Sequence, residues 1–189
     1  MRFHTGDEKS LFGQQTIGNL TSQMLMRGTT RYSRAQLKDE FEKLKVAGAV
    51  NGLGGTFQTT KQNVVAAIRL AAHTLRDPAF PESEFAQLKQ QSLTAIDSQR
   101  SDPTAMAGVA MSRHFNTHPK GDWRYAPSID ESIDSVKATT LDDVKQFHKK
   151  FYGANRGEIA IVGDFDEAGV NTAVTETLGD GKTDAASAR

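Results

Sequence analysis

His114 and His118 stand four residues apart in His114-Phe115-Asn116-Thr117-His118. That spacing puts two imidazoles on one helix face, where they can grip a metal ion. The chemistry needs a helix that runs through His118 and a third ligand. Pro119 follows at once and disfavours helix in the residue before it, and no Glu lies between the two histidines to serve as a base. The pair reads as structural, near a helix C-terminus where an imidazolium suits the dipole. Gly52-Leu53-Gly54-Gly55 has the glycine density of a phosphate-cradling loop. It lacks a Gly-Lys-Ser/Thr ending and leads into a strand-like segment, so it reads as a turn. Trp123-Arg124-Tyr125 joins three residue types enriched at interface hot spots, in a polar loop. These three are the candidate interface residues, although such a loop can equally tuck onto its own domain. Asn19, Ser22 and Gln23 form a polar set on a helical stretch, with Asn19 and Gln23 also four apart. Such a set can bind a polar group, but it reads first as a helix surface facing a cavity or a neighbouring domain. The chain has no cysteine, which removes disulfides, thiolate zinc sites and thiol nucleophiles together. No Ser-His-acid set stands out.

The elements that must carry these residues follow from periodicity. Met1–Thr5 is strand-like and ends at Gly6-Asp7; an opening inside a strand reads as an excised piece whose Met1 is artificial. Leu11–Arg27 shows a helical apolar stripe at 11, 12, 17, 20, 24 and 25, closed by Gly28. Ser33 starts the next helix, with Gln36 placed for a capping box. Leu37, Phe41 and Leu44 share its buried face, and Lys38 and Glu42 can pair on its surface. Gly48 to Gly55 reads as a turn between two short strands, the second in the β-favouring Thr56–Thr60. Helices are predicted at Gln62–Leu75, Glu82–Arg100, Thr104–Asn116 and Leu141–Phe151, the last capped by Thr140. Asp77-Pro78 and Asp102-Pro103 punctuate them. His118–Pro127 reads as a loop and Glu158–Val162 as a buried strand ending at Gly163-Asp164. After about Gly179 the composition cannot bury apolar surface and reads as a frayed tail. A few strands and about six helices predict an α+β fold, with helices packed on a sheet.

Length and charge narrow the function. The chain has 189 residues, enough for one domain or one plus a tail. Its 23 Lys+Arg balance 23 Asp+Glu, so no electrostatic case exists for nucleic acid or an anionic membrane as partner. No apolar run approaches the roughly 20 residues of a membrane span. Met1–Thr5 lacks the apolar centre of a signal peptide.

One segment adds a resemblance. Met24-Leu25-Met26-Arg27-Gly28-Thr29-Thr30-Arg31-Tyr32-Ser33 resembles the stretch after the zinc motif in insulinase-type (pitrilysin-type) peptidases. There a helix bearing H-x-x-E-H is followed by Met-Leu, a variable pair, Gly-Thr and a Ser that opens the next helix. The likeness continues through Pro78–Glu82, Arg100–Pro103, Pro119–Gly121, Phe151–Gly153 and Ala160–Asp164, and so covers residues 2–166. In that family two His at i and i+4 bind zinc and the Glu between them activates the bound water. The matching positions here are Asn19, Ser22 and Gln23. Neutral amides are poor zinc ligands, and a hydroxyl does not take a proton from water at neutral pH. The family's third ligand, a Glu on a later helix, falls near Leu93-Thr94-Ala95-Ile96, which holds no carboxylate; the neighbouring Asp97 alone makes no site.

The resemblance implies an insulinase-type peptidase-like domain at 1–166, with a mixed or antiparallel sheet and helices on one face. Residues 167–189 would begin a following segment, partly disordered. It implies a non-catalytic domain of a zinc endopeptidase, in which a zinc-bearing half, in the same chain or a separate subunit, hydrolyses peptides and this half completes the substrate chamber. Zinc would belong to that partner, with no metal and no catalytic residue in this chain. Neither Arg31-Tyr32 nor Arg124-Tyr125 has the spacing of the family's substrate-contacting Arg and Tyr. The expected partners are the zinc-bearing half and a peptide substrate, with no nucleic acid and no membrane. The resemblance favours the bacterial periplasm over the cytoplasm. The alternative is a peptide-binding or chaperone-like homologue with no catalytic partner. A stand-alone hydrolase with an unrelated site is the weakest reading, for want of a nucleophile set.

Overall fold

The computed structural model describes residues 1–3 and 6–179. His4 and Thr5, the end of the expected opening strand, and the expected frayed tail from 180 lie outside the described residues.

Four strands form an antiparallel sheet in the order β2-β3-β1-β4: β1 Arg2–Phe3, β2 Ala47–Asn51, β3 Gly54–Gln58 and β4 Gly157–Glu158. Helices lie on one face, as the α+β expectation has it. They are α1 Gln15–Met24, α2 Arg34–Lys43, α3 Val64–Arg76, α4 Glu82–Ser98, α5 Pro103–Phe115, α6 Ile129–Ala138, α7 Leu141–Phe151 and α8 Glu167–Leu178. Phe3 and Val50 of the sheet meet Ala71, Ala72 and Leu75 of α3, with Leu25 and Leu178, in one buried cluster. A second cluster joins α1, α4 and α7 through Leu20, Met24, Phe85, Leu88 and Val144, with Phe80 from the segment before α4. Burying side chains of this size contributes about 1.5–3 kcal/mol each. It is tertiary packing rather than propensity that holds such short helices.

Local signals account for most boundaries. Ser33 and Gln36 form the expected capping box on α2, and Lys38 pairs with Glu42 at 3.5 Å. Thr140 caps α7 with Asp143. The N–H groups left without acceptors in the first turn of α5 are met by Asp102, whose carboxylate accepts from Thr104 and Ala105. α1 and α7 cross closely because Gly18 has no Cβ: one there would stand 3.0 Å from the Phe147 ring.

Several expectations need correction. The helix predicted from Leu11 begins at Gln15, because the Gly13 N–H donates to the Gly121 carbonyl at 2.7 Å and holds residues 11–13 in turns. The turn predicted across Gly48 to Gly55 is only Gly52-Leu53, since residues 47–51 pair with 54–58 in register. The strand predicted over Glu158–Val162 is only Gly157–Glu158, because β1 offers it just Arg2 and Phe3. The described residues hold eight α-helices, not about six. The two additions are α6, opened by a Ser128–Glu131 capping box, and α8, which lies on α3 through Val170 and Ala173 against Ile68.

Candidate functional site

Helix α1 carries the three motif positions, and its packing sorts them. Leu20, Thr21 and Met24 are buried against α4 and α7. The Thr21 hydroxyl donates back to the Ile17 carbonyl at 2.7 Å. Asn19 and Gln23 lie on the exposed side, one turn apart, and the Gln23 amide donates to the Asn19 carbonyl at 3.4 Å. Ser22 is half-buried and points elsewhere: its hydroxyl oxygen accepts the backbone N–H of Gly52 in the β2–β3 turn. The same glycine's carbonyl accepts the Tyr152 hydroxyl at 2.5 Å. Gly52 holds φ +51°, which a glycine adopts without steric cost. Burial raises the Tyr152 phenol well above its ordinary range, so it stays a donor. Side chains of α1 and of the segment after α7 thus clamp one residue of the hairpin turn, through the two peptide units that flank its Cα.

The loop between α5 and α6 holds Trp123, Arg124 and Tyr125. The structure splits them. Trp123 is 49% exposed, with the Arg124 guanidinium 5.6 Å from its ring centre. Arg124 is engaged within its own domain, donating to Asp122 at 2.7 and 2.9 Å and to Glu8 at 2.7 Å. That guanidinium holds the Asp122 carboxyl far below the usual range. The Tyr125 hydroxyl donates to Glu131 at 3.1 Å. Glu131 also accepts from the Ser128 N–H at 2.8 Å and pairs with Lys120 and Arg113, each at 2.9 Å. Those donors, the Ser128 N–H foremost, press its pKa far down.

Gln15 connects the loop to the helix. Its side-chain amide donates to the carbonyls of Trp123 at 2.7 Å and Tyr125 at 3.2 Å. Gln15, Asn19 and Gln23 recur every four residues, so they form one stripe along α1. Trp123 therefore stands at one end of an amide-lined helix face. Gln15, Glu131 and Tyr152 were not singled out by sequence reasoning. The Ser128-Ile129-Asp130-Glu131 capping signature could have found Glu131; nothing local marks the other two.

The other candidates come apart. α5 ends at Phe115, so His114 and His118 do not share a helix. His114 is exposed, edge-on to Phe115 at 5.0 Å, and the His118 ring nitrogen lies 3.8 Å from Asp122. Gly52-Leu53-Gly54-Gly55 is a hairpin, with Gly54 and Gly55 inside β3. Leu93-Thr94-Ala95-Ile96 lie within α4. Among the described residues, no group of three or more His, Asp or Glu is placed to hold a metal ion.

Known proteins share these features to a stated extent. A family profile described as "Peptidase M16 inactive domain" matches residues 138–188. The zinc protease PqqE of Helicobacter pylori is 23% identical over 174 residues, covering 86% of this chain and 37% of that protein. The crystal structure of a peptidase M16 inactive domain from Pseudomonas fluorescens superposes with a TM-score of 0.74 at 24% identity, over 99% of this chain and 46% of that one. The periplasmic protease PqqL from Escherichia coli superposes at 0.70 with 15% identity, over all of this chain and 22% of that one. The chain thus spans less than half of each of these relatives. The solved structures establish the fold, and the resemblance to the non-catalytic half of insulinase-type peptidases is borne out.

Proposed function

From that likeness we propose that this chain is a non-catalytic domain of an insulinase-type zinc endopeptidase and completes the substrate chamber of a zinc-bearing half. One observation carries the reading. The position matching the catalytic base is Ser22, and its hydroxyl is spent on holding the Gly52 turn. The flanking ligand positions are Asn19 and Gln23, whose neutral amides do not suit zinc. The residues present therefore do not fit the metal, and no step of hydrolysis runs through them. Zinc and the general base come from the partner half, whether fused or separate.

The chamber role rests on geometry that a peptide requires. Zinc-bound water attacks a carbonyl at a useful angle only when the peptide is held on both sides. Exposed Asn19 and Gln23 of α1 supply amide donors and acceptors for an extended backbone, and Trp123, held by Gln15, supplies an aromatic anchor beside them. The proposed substrate is a peptide. No described helix is long and apolar enough to cross a membrane. The periplasm is the proposed compartment, on the strength of the periplasmic protease PqqL alone.

The test is reconstitution. Adding this domain, with the rest of its half, to an intact H-x-x-E-H half raises chelator-sensitive peptide cleavage well above that of the zinc half alone. Equal cleavage with and without it would reject the chamber role and favour a peptide-binding protein without a catalytic partner.

A further inference from the structure

Asn51 is the one asparagine in the sequence that a glycine follows. The pair lies at the tip of the β2–β3 hairpin: Asn51 ends β2 opposite Gly54, and Gly52-Leu53 make the turn. Asparagine before glycine carries a latent reaction. The Gly52 nitrogen, once deprotonated, can attack the side-chain carbonyl carbon of Asn51. The N–Cγ bond forms, the Cγ–Nδ2 bond breaks and ammonia leaves. Water then opens the five-membered succinimide at one of its two carbonyls. The product is aspartate or, with the main chain rerouted through Cγ, isoaspartate. Glycine leaves the attacking nitrogen unshielded because it has no Cβ. Asn51 is exposed, so water and hydroxide reach it.

Two features of the fold hold the reactants apart. Ring closure needs the Gly52 nitrogen turned onto the Asn51 side chain, whereas the extended backbone of a strand turns it away. The same N–H donates to the Ser22 hydroxyl oxygen. That bond has to break before the nitrogen can lose its proton or swing round. The turn has two further ties. The Gly52 carbonyl accepts from the Tyr152 hydroxyl at 2.5 Å, and the Leu53 carbonyl accepts from the Phe3 N–H at 2.6 Å. A closed hairpin is therefore inert, and a locally opened one reacts.

We propose that Asn51 is a modification site, which deamidates through Gly52 at a rate set by opening of the Ser22–Gly52 hydrogen bond. The product works against reclosure. Isoaspartate adds a methylene to the main chain of β2 at the residue that faces Gly54, so Gly52 no longer meets Ser22 in register. The hairpin is then released from α1 irreversibly. Nothing in this chemistry depends on the peptidase reading, since Ser22 acts only as a hydrogen-bond acceptor.

The test ages the purified chain at mildly alkaline pH and measures aspartate and isoaspartate at position 51 by peptide mapping. The folded chain should convert at least about tenfold more slowly than the same chain unfolded in guanidinium. Ser22→Ala should speed conversion of the folded chain by about tenfold, and Tyr152→Phe, on the other side of Gly52, by a similar factor. Val170→Ala, which loosens α8 on α3 and touches neither bond, should leave the rate unchanged. Equal conversion in the unmodified chain and in Ser22→Ala and Tyr152→Phe overturns the proposal. So does equal acceleration by Val170→Ala, which would tie the reaction to unfolding of the whole domain.

Discussion

The Ser22 hydroxyl oxygen on α1 accepts the backbone N–H of Gly52 at the tip of the β2–β3 hairpin. On the proposed reading, this helix position matches the general base of a zinc-bearing half. Here it joins helix to sheet. Ser22→Ala should cost about 1–2 kcal/mol, because it leaves a partly buried donor without a partner. Tyr152→Phe, which frees the Gly52 carbonyl, should cost a similar amount. The double variant should lose less than the sum, since both bonds hold the same turn residue, Gly52. Urea denaturation midpoints at constant slope check all three.

Trp123 and its neighbours should separate by function. Arg124 and Tyr125 are tied to Asp122, Glu8 and Glu131, whereas the Trp123 ring is about half-exposed. Trp123→Ala should change stability by no more than about 0.5 kcal/mol, yet weaken association with the zinc-bearing half by about tenfold or more. Calorimetric titration reads the second effect. Unchanged affinity would remove Trp123 from the interface. Gln15→Ala should act on the same loop by releasing two carbonyls, and should speed amide exchange there without weakening the core.

The His148 ring supplies a pH dependence. It is mostly buried between Phe80 and Tyr152, and its Nε2–H donates to the Leu75 carbonyl at 2.7 Å. Burial lowers its pKa, opposed by that hydrogen bond and by Asp77. A histidine held below its unfolded value of about 6.5 binds fewer protons folded than unfolded in that range. Its stabilisation is therefore complete above about pH 6.5 and is lost as pH falls through the folded value. His148→Gln should flatten the unfolding free energy between about pH 7 and 5. The lowered carboxylates Asp122, Glu131 and Asp143 lose their contribution separately, below about pH 4. Denaturation series at several pH values distinguish the two windows.

These residues also show what could be read without coordinates. Ser33 with Gln36 and Thr140 before Leu141 are local signals, and both helices start where they predict. Ser128 with Glu131 is the same signal, overlooked because it follows Pro127 at the end of a polar loop. α8 has little local signature: its Gly, Thr and Val residues form a helix because α3 offers Ile68 to pack on. The apolar run at 159–162 has strand character, yet only Gly157–Glu158 finds a partner in β1. At the site, α1 and its polar positions were legible from spacing and resemblance. The use of Ser22 was not, because its partner lies 30 residues away, and the Gln15 contact spans 108.

Zinc binding tests the central claim most directly. The chain, expressed with zinc and freed of loosely held metal, should carry no stoichiometric zinc by elemental analysis and should not cleave peptides in a chelator-sensitive way. Asn19→His, Ser22→Glu and Gln23→His together should still fall short of a tight site, because Thr94 and Ala95 leave the third ligand missing. Adding a Glu at 94 or 95 should bring weak affinity. One tightly held zinc per unmodified chain, with cleavage that a chelator abolishes, would contradict the account.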